Sequence, residues 1–306
     1  MTGRWVLITG CDSGIGALAV SQLSATGAKV AAFTLTEAGV VAAGHLAFQP
    51  LSNFRRIMEV NFFSTIRLQQ ALTPAVNACA GRVVFMSSVG GIVLNDGNGP
   101  YCASKTALEA YATILRVECY LWGTKGSLSV WQSPELSVWQ SPERVCRSDQ
   151  CLADVQVKTG EDTHPCSVLL PNVRTGVRNP PMRASYPDVQ RLCGIQRLLR
   201  TTWNAMAAQD STNANAWWRR VYTEEWLNGS VKYTQALLDA VAGDPQLAVD
   251  SMIHAVCAAT PRISYMPGTN AGKRFFWQLW TMPESWACGR QYAAAAATAP
   301  KVVTAA

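Results

Sequence analysis

Charged residues and long apolar runs are both scarce in this sequence. Only 15% of its 306 residues are Asp, Glu, Lys or Arg, and the net charge of +6 is scattered, which argues against a nucleic-acid partner. No apolar run reaches the roughly 18 residues that a membrane-spanning helix requires. The chain also starts without a charged and then apolar leader, so we expect an intracellular protein whose ten cysteines are reduced thiols.

The N-terminal segment has the order strand, glycine turn, helix and strand. An apolar run at 5–8 precedes a turn with Gly10, Gly14 and Gly16, and a helix-forming stretch then leads to a second apolar run at 29–33. This order predicts a βαβ unit. A glycine cluster alone is more often a plain turn, but between a strand and a helix it favours binding of a dinucleotide pyrophosphate.

A second group of polar residues lies downstream, where Ser88 follows an apolar run and Tyr101 and Lys105 are four positions apart. On a helix these two side chains share one face, and the ammonium group would lower the pKa of the phenol. A phenol of this kind can act as a base near neutral pH. Taken alone, the spacing is weak, since such pairs also occur on solvated helix faces.

The Thr-Gly-x-x-x-Gly-x-Gly pattern at 9–16, followed by Tyr101-x-x-x-Lys105, resembles the short-chain dehydrogenase/reductase family, especially its retinol dehydrogenase and 17β-hydroxysteroid dehydrogenase branch. The resemblance implies an α/β protein with a Rossmann-like, doubly wound parallel sheet. It also implies an NAD-dependent oxidoreductase that interconverts a lipophilic, retinoid or steroid-like alcohol and its carbonyl. The catalytic tetrad of the family maps onto Asn61, Ser88, Tyr101 and Lys105, with Tyr101 as the base, Ser88 on the reacting oxygen and Asn61 holding a water.

The cofactor site implied by the resemblance has members in five parts of the chain. The end of the second strand, at 34–37, contains no Arg or Lys to pair with a 2′-phosphate, and Asp12 would repel one, so we expect NAD rather than NADP. Glu37 is interpreted equally well as a ligand of the cofactor ribose and as a solvated carboxylate at a helix start. The expected cofactor residues are Gly10, Cys11, Asp12, Ser13, Gly14, Ile15, Gly16, Thr36, Asn61, Tyr101, Lys105 and Thr175.

One stretch is shorter than the family pattern. Between Gly39 and Leu51 there is no room for a βαβ unit of about 30 residues, so we expect a sheet that lacks two strands and their helices, with a gap near 10 Å unless the remaining strands close up. The family's Asn-Asn-Ala-Gly turn is expected to be lost with them. This shortage supports an alternative, a non-catalytic relative that binds lipid or dimerises and has lost proper cofactor binding.

Another stretch is longer than the family pattern. Residues 126–165 contain a tandem octapeptide, at 128–135 and 136–143, and we interpret them as an inserted, largely disordered loop in a single domain spanning 1–306. Residues 176–306 would form the substrate-facing lid and C-terminal segment. Within the insert, the spacing of the Cys and His residues at 146, 151, 164 and 166 fits no common zinc site, so we expect no metal.

The C-terminal part offers large apolar side chains for a lipophilic substrate, although aromatic residues at helical spacing are more often core. An apolar segment at 275–280 could rest on a membrane surface. We therefore expect a cytoplasmic protein or one peripherally associated with the endoplasmic reticulum, and the resemblance leaves a homodimer open. The side chains concerned are Trp203, Trp217, Trp218, Trp226 and Met252.

Overall fold

The computed structural model describes most of the first 121 residues and most of the C-terminal region up to 283. The described residues are 2–12, 14–33, 39–94, 96–121, 128–130, 200–205, 222–241 and 244–283, with single positions at 285, 286, 289 and 293.

The predicted βαβ unit is present at the N-terminus. Strand β1 (Trp5–Thr9) leads through the glycine turn to helix α1 (Gly14–Ala25), and strand β2 (Lys29–Phe33) then pairs with β1 in parallel. Val6 and Ile8 alternate with more exposed neighbours along β1 and pack under α1, as the period of a half-buried strand requires. The turn between β1 and α1 is thereby fixed at the carboxyl end of the first strand.

A long helical segment follows, and it contains one wide turn. Helix α2 (Leu51–Met58) runs into a π-helical turn (Glu59–Phe63), which continues as helix α3 (Ser64–Ala78). The hydroxyl of Ser64 donates to the carbonyl of Val60, and the hydroxyl of Thr65 donates to that of Asn61 at 3.3 Å. Side-chain hydroxyls that bond back to the preceding turn accompany local widening or bending of helices.

The second half of the fold is a three-stranded parallel sheet with helix α4 packed on it. Strand β3 (Val84–Met86) precedes helix α4 (Gly99–Leu121), and strands β4 (Leu128–Val130) and β5 (Ser264–Tyr265) complete the order β3-β4-β5. The α/β class with parallel strands is therefore as predicted.

Strand β4 lies inside the segment at 126–165 that we interpreted as an inserted, largely disordered loop, and that interpretation of the segment stays a prediction. Its backbone pairs with β3 on one side and with β5 on the other. A central position satisfies the backbone groups of both strand edges, which favours extended structure in whichever segment occupies it. The remainder of the segment lies outside the described residues.

The C-terminal region contains the helices α5 (Glu224–Val241), α6 (Pro245–Cys257) and α7 (Asn270–Thr281), and residues 200–205 are also helical. Helix α6 contacts both sheets: its Val249 packs against β1 and α1, whereas its Ala255 packs against Tyr265 of β5. Arg82, just before β3, donates to the carbonyls of Ala255 and Val256 at the end of α6. None of the helices in the described ranges has the length and apolar content needed to cross a bilayer.

The two sheets are separate. In the described residues, β1 pairs with β2 and β3 pairs with β4, and no strand lies between β2 and β3 along the chain. The remaining strands therefore do not close up by pairing with each other. Loss of two strands and their helices relative to the family stays a prediction.

Three of the large side chains proposed for a substrate surface lie in the core. Trp226 is 6% exposed and packs with Phe48 and Leu227, while Trp203 covers the same cluster and donates its ring N–H to the carbonyl of Tyr222 at 3.1 Å. Met252 of α6 packs against the core of both sheets. These three candidates for a substrate surface thus serve the core; Trp217 and Trp218 lie outside the described residues.

Candidate active site

The glycine turn has the backbone geometry that a pyrophosphate site needs. Gly10 and Gly14 have positive φ angles of 67° and 56°, a region that favours glycine. The N–H of Gly10 donates to the carbonyl of Phe33, which ties the start of the turn to the end of β2. The turn then enters α1, whose first N–H groups have no partners within the helix.

Close packing explains why the third position of the turn, Gly16, is a glycine. A Cβ atom on Gly16 would lie 2.1 Å from the carbonyl oxygen of Gly10, so no other residue fits there without movement of the backbone. Cys11 packs its thiol beneath the turn, where it donates to the carbonyls of Ile8 and Phe33, and burial raises the pKa of this thiol. Asp12 is exposed, and Ile15 is partly buried against the core of the βαβ unit.

The carboxyl end of β3 carries two buried serines. Ser87 and Ser88 are fully buried, and the Oγ of Ser88 accepts a hydrogen bond from the N–H of Gly90 at 3.1 Å. A Cβ on Gly90 would lie 3.5 Å from the ring of Tyr101 and 3.6 Å from the Oγ of Ser88. The turn after β3 at Gly90 therefore lies close to both the serine and the tyrosine.

Tyr101 and Lys105 lie on the buried face of α4, as their spacing predicts, and are 6% and 8% exposed. The Nζ atom of Lys105 donates to the carbonyl of Met86 at 3.0 Å and lies 5.7 Å from the centre of the Tyr101 ring. Burial lowers the pKa of Lys105 to about 8, while the charge of Glu109 acts in the opposite direction. The interpretation as a solvated helix face is therefore wrong for these two residues.

Asn61 is held in the wide π-helical turn and is 2% exposed. Its amide makes two bonds to the backbone of Val40, accepting from the N–H at 2.8 Å and donating to the carbonyl at 2.9 Å. It also donates to the hydroxyl of Ser104 at 3.0 Å, and Ser104 in turn donates to the carbonyl of Tyr101 at 2.7 Å. Both N–H donors of the amide are thus used to join α4 to the segment that precedes α2.

The structure adds two buried serines and one partly buried glutamate that the sequence interpretation missed. Ser104 links Asn61 to the first turn of α4. Its position between Tyr101 and Lys105 is the sequence feature that could have identified it. The hydroxyl of Ser87 and one carboxylate oxygen of Glu109 are buried without a hydrogen-bond partner. Glu109 follows Lys105 by four positions, a spacing that could have identified it as a neighbour.

The comparison with known proteins agrees with this geometry. Residues 34–125 match the family model of the short chain dehydrogenase. Estradiol 17-beta-dehydrogenase 2 of Mus musculus is 30% identical over 156 residues, and retinol dehydrogenase 7 of the same species is 26% identical over 329 aligned positions. The chain is therefore similar to short-chain dehydrogenases, most directly over residues 34–125.

The matches to these family members differ in extent. The first covers 46% of this chain and 38% of the estradiol enzyme, whereas the second covers 92% of this chain and 85% of the retinol enzyme. A solved short-chain dehydrogenase from Burkholderia cenocepacia, in complex with NADP, is 22% identical with a TM-score of 0.41 over 44% of this chain and 73% of that one.

The segment matched to the short-chain dehydrogenase model contains all four predicted catalytic residues, whereas the glycine turn precedes it. The structure links Asn61 to α4 and brings Ser88 and Tyr101 to the same glycine, with Lys105 beside the Tyr101 ring. The predicted cofactor residues Ser13, Thr36 and Thr175 lie outside the described residues, as do the Cys and His residues of the segment at 126–165.

Proposed function

We propose that this chain is an NAD-dependent dehydrogenase that interconverts a lipophilic, retinoid or steroid-like alcohol and its carbonyl. The observation that carries the proposal is the shared burial of Ser88, Tyr101 and Lys105 where β3 meets the first turns of α4. A phenol, a hydroxyl and an ammonium in one water-poor site can move a proton to and from a substrate oxygen.

Each of the four residues has a role in this proposal. Tyr101 accepts the proton of the substrate alcohol, and the ammonium of Lys105 favours its phenolate form. Ser88 already accepts the N–H of Gly90, which leaves its own hydroxyl hydrogen for the charge that develops on the reacting oxygen. Asn61 acts mainly by position, because its amide donors are used to hold Val40 and Ser104; a bound water would have to use its remaining acceptor capacity.

The glycine turn fits a nicotinamide dinucleotide. The backbone of Gly10 and Gly14 and the lack of space for a side chain at Gly16 are the features that let a pyrophosphate approach the start of α1. When bound, the cofactor would supply the hydride acceptor. We favour NAD over NADP, since the exposed carboxylate of Asp12 would repel a 2′-phosphate.

We also propose a site of action at or near a membrane surface. The names of the retinol and estradiol relatives point to lipophilic substrates, which partition into membranes. Helix α7 exposes Trp277 and Trp280 by 57% and 55%, and it carries Lys273 and Arg274. Apolar rings with neighbouring cations suit a peripheral contact with a lipid surface, which vesicle co-sedimentation of Trp277→Ala would test.

The first test of the enzymatic proposal is NADH binding by the full chain, followed through the fluorescence of the reduced nicotinamide. We expect saturable binding between micromolar and sub-millimolar concentrations. Retinol or an androgen should then reduce NAD, and Tyr101→Phe should abolish the rate. Tyr111→Phe is the matched control, since this tyrosine lies on the same helix and bonds Gln69 instead. Equal activity of the two variants would refute the role of Tyr101.

A non-catalytic lipid-binding or dimerising protein is the second candidate. The separation of the glycine turn on the first sheet from the buried tetrad beside the second favours it, since hydride transfer requires the two regions to meet. Absence of saturable NADH binding would decide for this candidate.

A further inference from the structure

A third ionisable residue continues the line of Tyr101 and Lys105 along α4. Glu109 follows Lys105 by four residues, so the three side chains lie on successive turns of one helix face. The Oε1 atom of Glu109 is buried and accepts no hydrogen bond. A buried carboxylate oxygen without such a partner is destabilising, so its presence there calls for an explanation.

The turn after β3 encloses Lys105 and Glu109 together. A Cβ on Gly91 would lie 3.1 Å from the backbone carbonyl of Lys105 and 3.3 Å from the Cγ of Glu109, so the bare backbone at Gly91 covers both residues. The hydroxyl of Thr106 donates to the carbonyl of Gly91 at 3.0 Å and holds the turn in place. Lys105 is 8% exposed, and charges shielded from water by burial interact more strongly than charges at the surface.

We propose that Glu109 is a positioning residue that keeps the ammonium of Lys105 charged behind Tyr101. The proposal rests on the proposed function, because it assigns to Glu109 the maintenance of the base used in that reaction. A proton shared by the pair can lie on the phenol, giving phenol and amine, or on the amine, giving phenolate and ammonium. The negative charge of Glu109 favours the second arrangement and so increases the fraction of phenolate.

The electrostatics of the site support this assignment. Burial lowers the pKa of Lys105, and the carboxylate of Glu109 opposes that shift. The other neighbours are the Met86 carbonyl from the end of β3, the Tyr101 ring from α4 and the backbone of Gly91 from the turn. None of these carries a formal charge when Tyr101 is protonated, so Glu109 is the anion that acts on the ammonium among the described groups.

The direct test is a titration of Lys105 in the full chain without cofactor or substrate. Lysine labelled with 15N at Nζ is followed by NMR across the pH range, and the signal of Lys105 is assigned by its loss in Lys105→Met. In Glu109→Gln we expect the midpoint of Lys105 to fall by about one pH unit. The control is Glu118→Gln, an exposed carboxylate on the same helix, which should leave it unchanged. An unchanged midpoint in Glu109→Gln would overturn the proposal.

Activity provides the second readout. Loss of the carboxylate should move the rising limb of the kcat/KM profile for alcohol oxidation to higher pH, whereas a general structural loss would lower the rate without moving it. Glu109→Asp keeps the charge and should restore the wild-type midpoint of Lys105, which keeps the test decisive if the glutamine variant folds poorly. If no alcohol is oxidised, the proposed function fails, yet the titration still decides the effect of Glu109 on Lys105.

Discussion

Replacement of Asn61 by Ala should destabilise the fold far more than loss of one surface amide. The change removes three hydrogen bonds and leaves the N–H and the carbonyl of Val40, a residue 2% exposed, without partners. Each orphaned buried group is worth about 1 to 3 kcal/mol, so we expect a loss of roughly 2 to 5 kcal/mol in the free energy of unfolding. Domains of this size are stable by about 5 to 15 kcal/mol, so the effect should be easily measured by urea unfolding with far-UV circular dichroism.

Two further variants separate the bonds of Asn61. Asn61→Asp keeps an acceptor for the N–H of Val40 but removes both donors and sets a carboxylate against the Val40 carbonyl, so it should be no more stable than Asn61→Ala. Asn53→Ala is the matched control, because its amide bonds only the side chain of Gln49 in the described structure and should matter by about 1 kcal/mol or less. Equal stability of Asn61→Ala and Asn53→Ala would refute the structural role of the buried amide.

The remaining predictions concern the cofactor turn, the buried lysine and the core. Gly16→Ala should abolish NADH binding in the fluorescence titration, since its Cβ would overlap the carbonyl of Gly10, and intact binding would contradict the close packing. Lys105→Met should stabilise the protein at neutral pH by about 3 kcal/mol, because the pKa of about 8 in the folded chain is below the ordinary value of 10.5. Folding of the unchanged protein becomes more favourable as pH rises from 8 to 10.5, because Lys105 then loses its proton more readily in the folded chain than in the unfolded chain. The higher stability of Lys105→Met in urea unfolding should therefore disappear across that pH range. Trp226→Ala should lower the free energy of unfolding by about 3 to 5 kcal/mol because Trp226 is buried, whereas Trp277→Ala should change it little because Trp277 is exposed. Thermal melting compares the two variants, and equal melting temperatures would contradict the difference in burial.

Local patterns predicted the elements whose residues contact near neighbours in sequence. The bounds of β2 agree with the apolar run at 29–33, and the interpretation of Tyr101 and Lys105 on one face of α4 rests on helical spacing alone. The partner of the Asn61 amide could not be found in this way, because Val40 lies 21 positions earlier in a segment without periodic structure.

The position of β4 shows a different limit of local sequence. Leu-Ser-Val occurs in both copies of the octapeptide, at 128–130 and at 136–138, so both copies have the same intrinsic preference for extended structure. Pairing with β3 and β5 gives the first copy its strand, and those partners come from distant parts of the chain. Tertiary pairing, which no propensity contains, therefore accounts for the strand at 128–130.

The split sheet makes helix α6 the element on which the proposed chemistry depends. No backbone ladder joins β1 to β3 in the described residues, so the glycine turn and the tetrad are held relative to each other through the packing of α6 on both sheets. Met252 contributes to both contacts, and the amide of Gln246 exchanges hydrogen bonds with Gln22 of α1. Side-chain packing fixes distance less rigidly than a hydrogen-bonded ladder, and misplacement of about 1 Å can reduce catalysis a hundredfold. Met252→Ala should therefore reduce alcohol oxidation more than NADH binding if the chain is the dehydrogenase we propose, because the glycine turn that would hold the pyrophosphate lies at the first sheet, while hydride transfer needs both sheets.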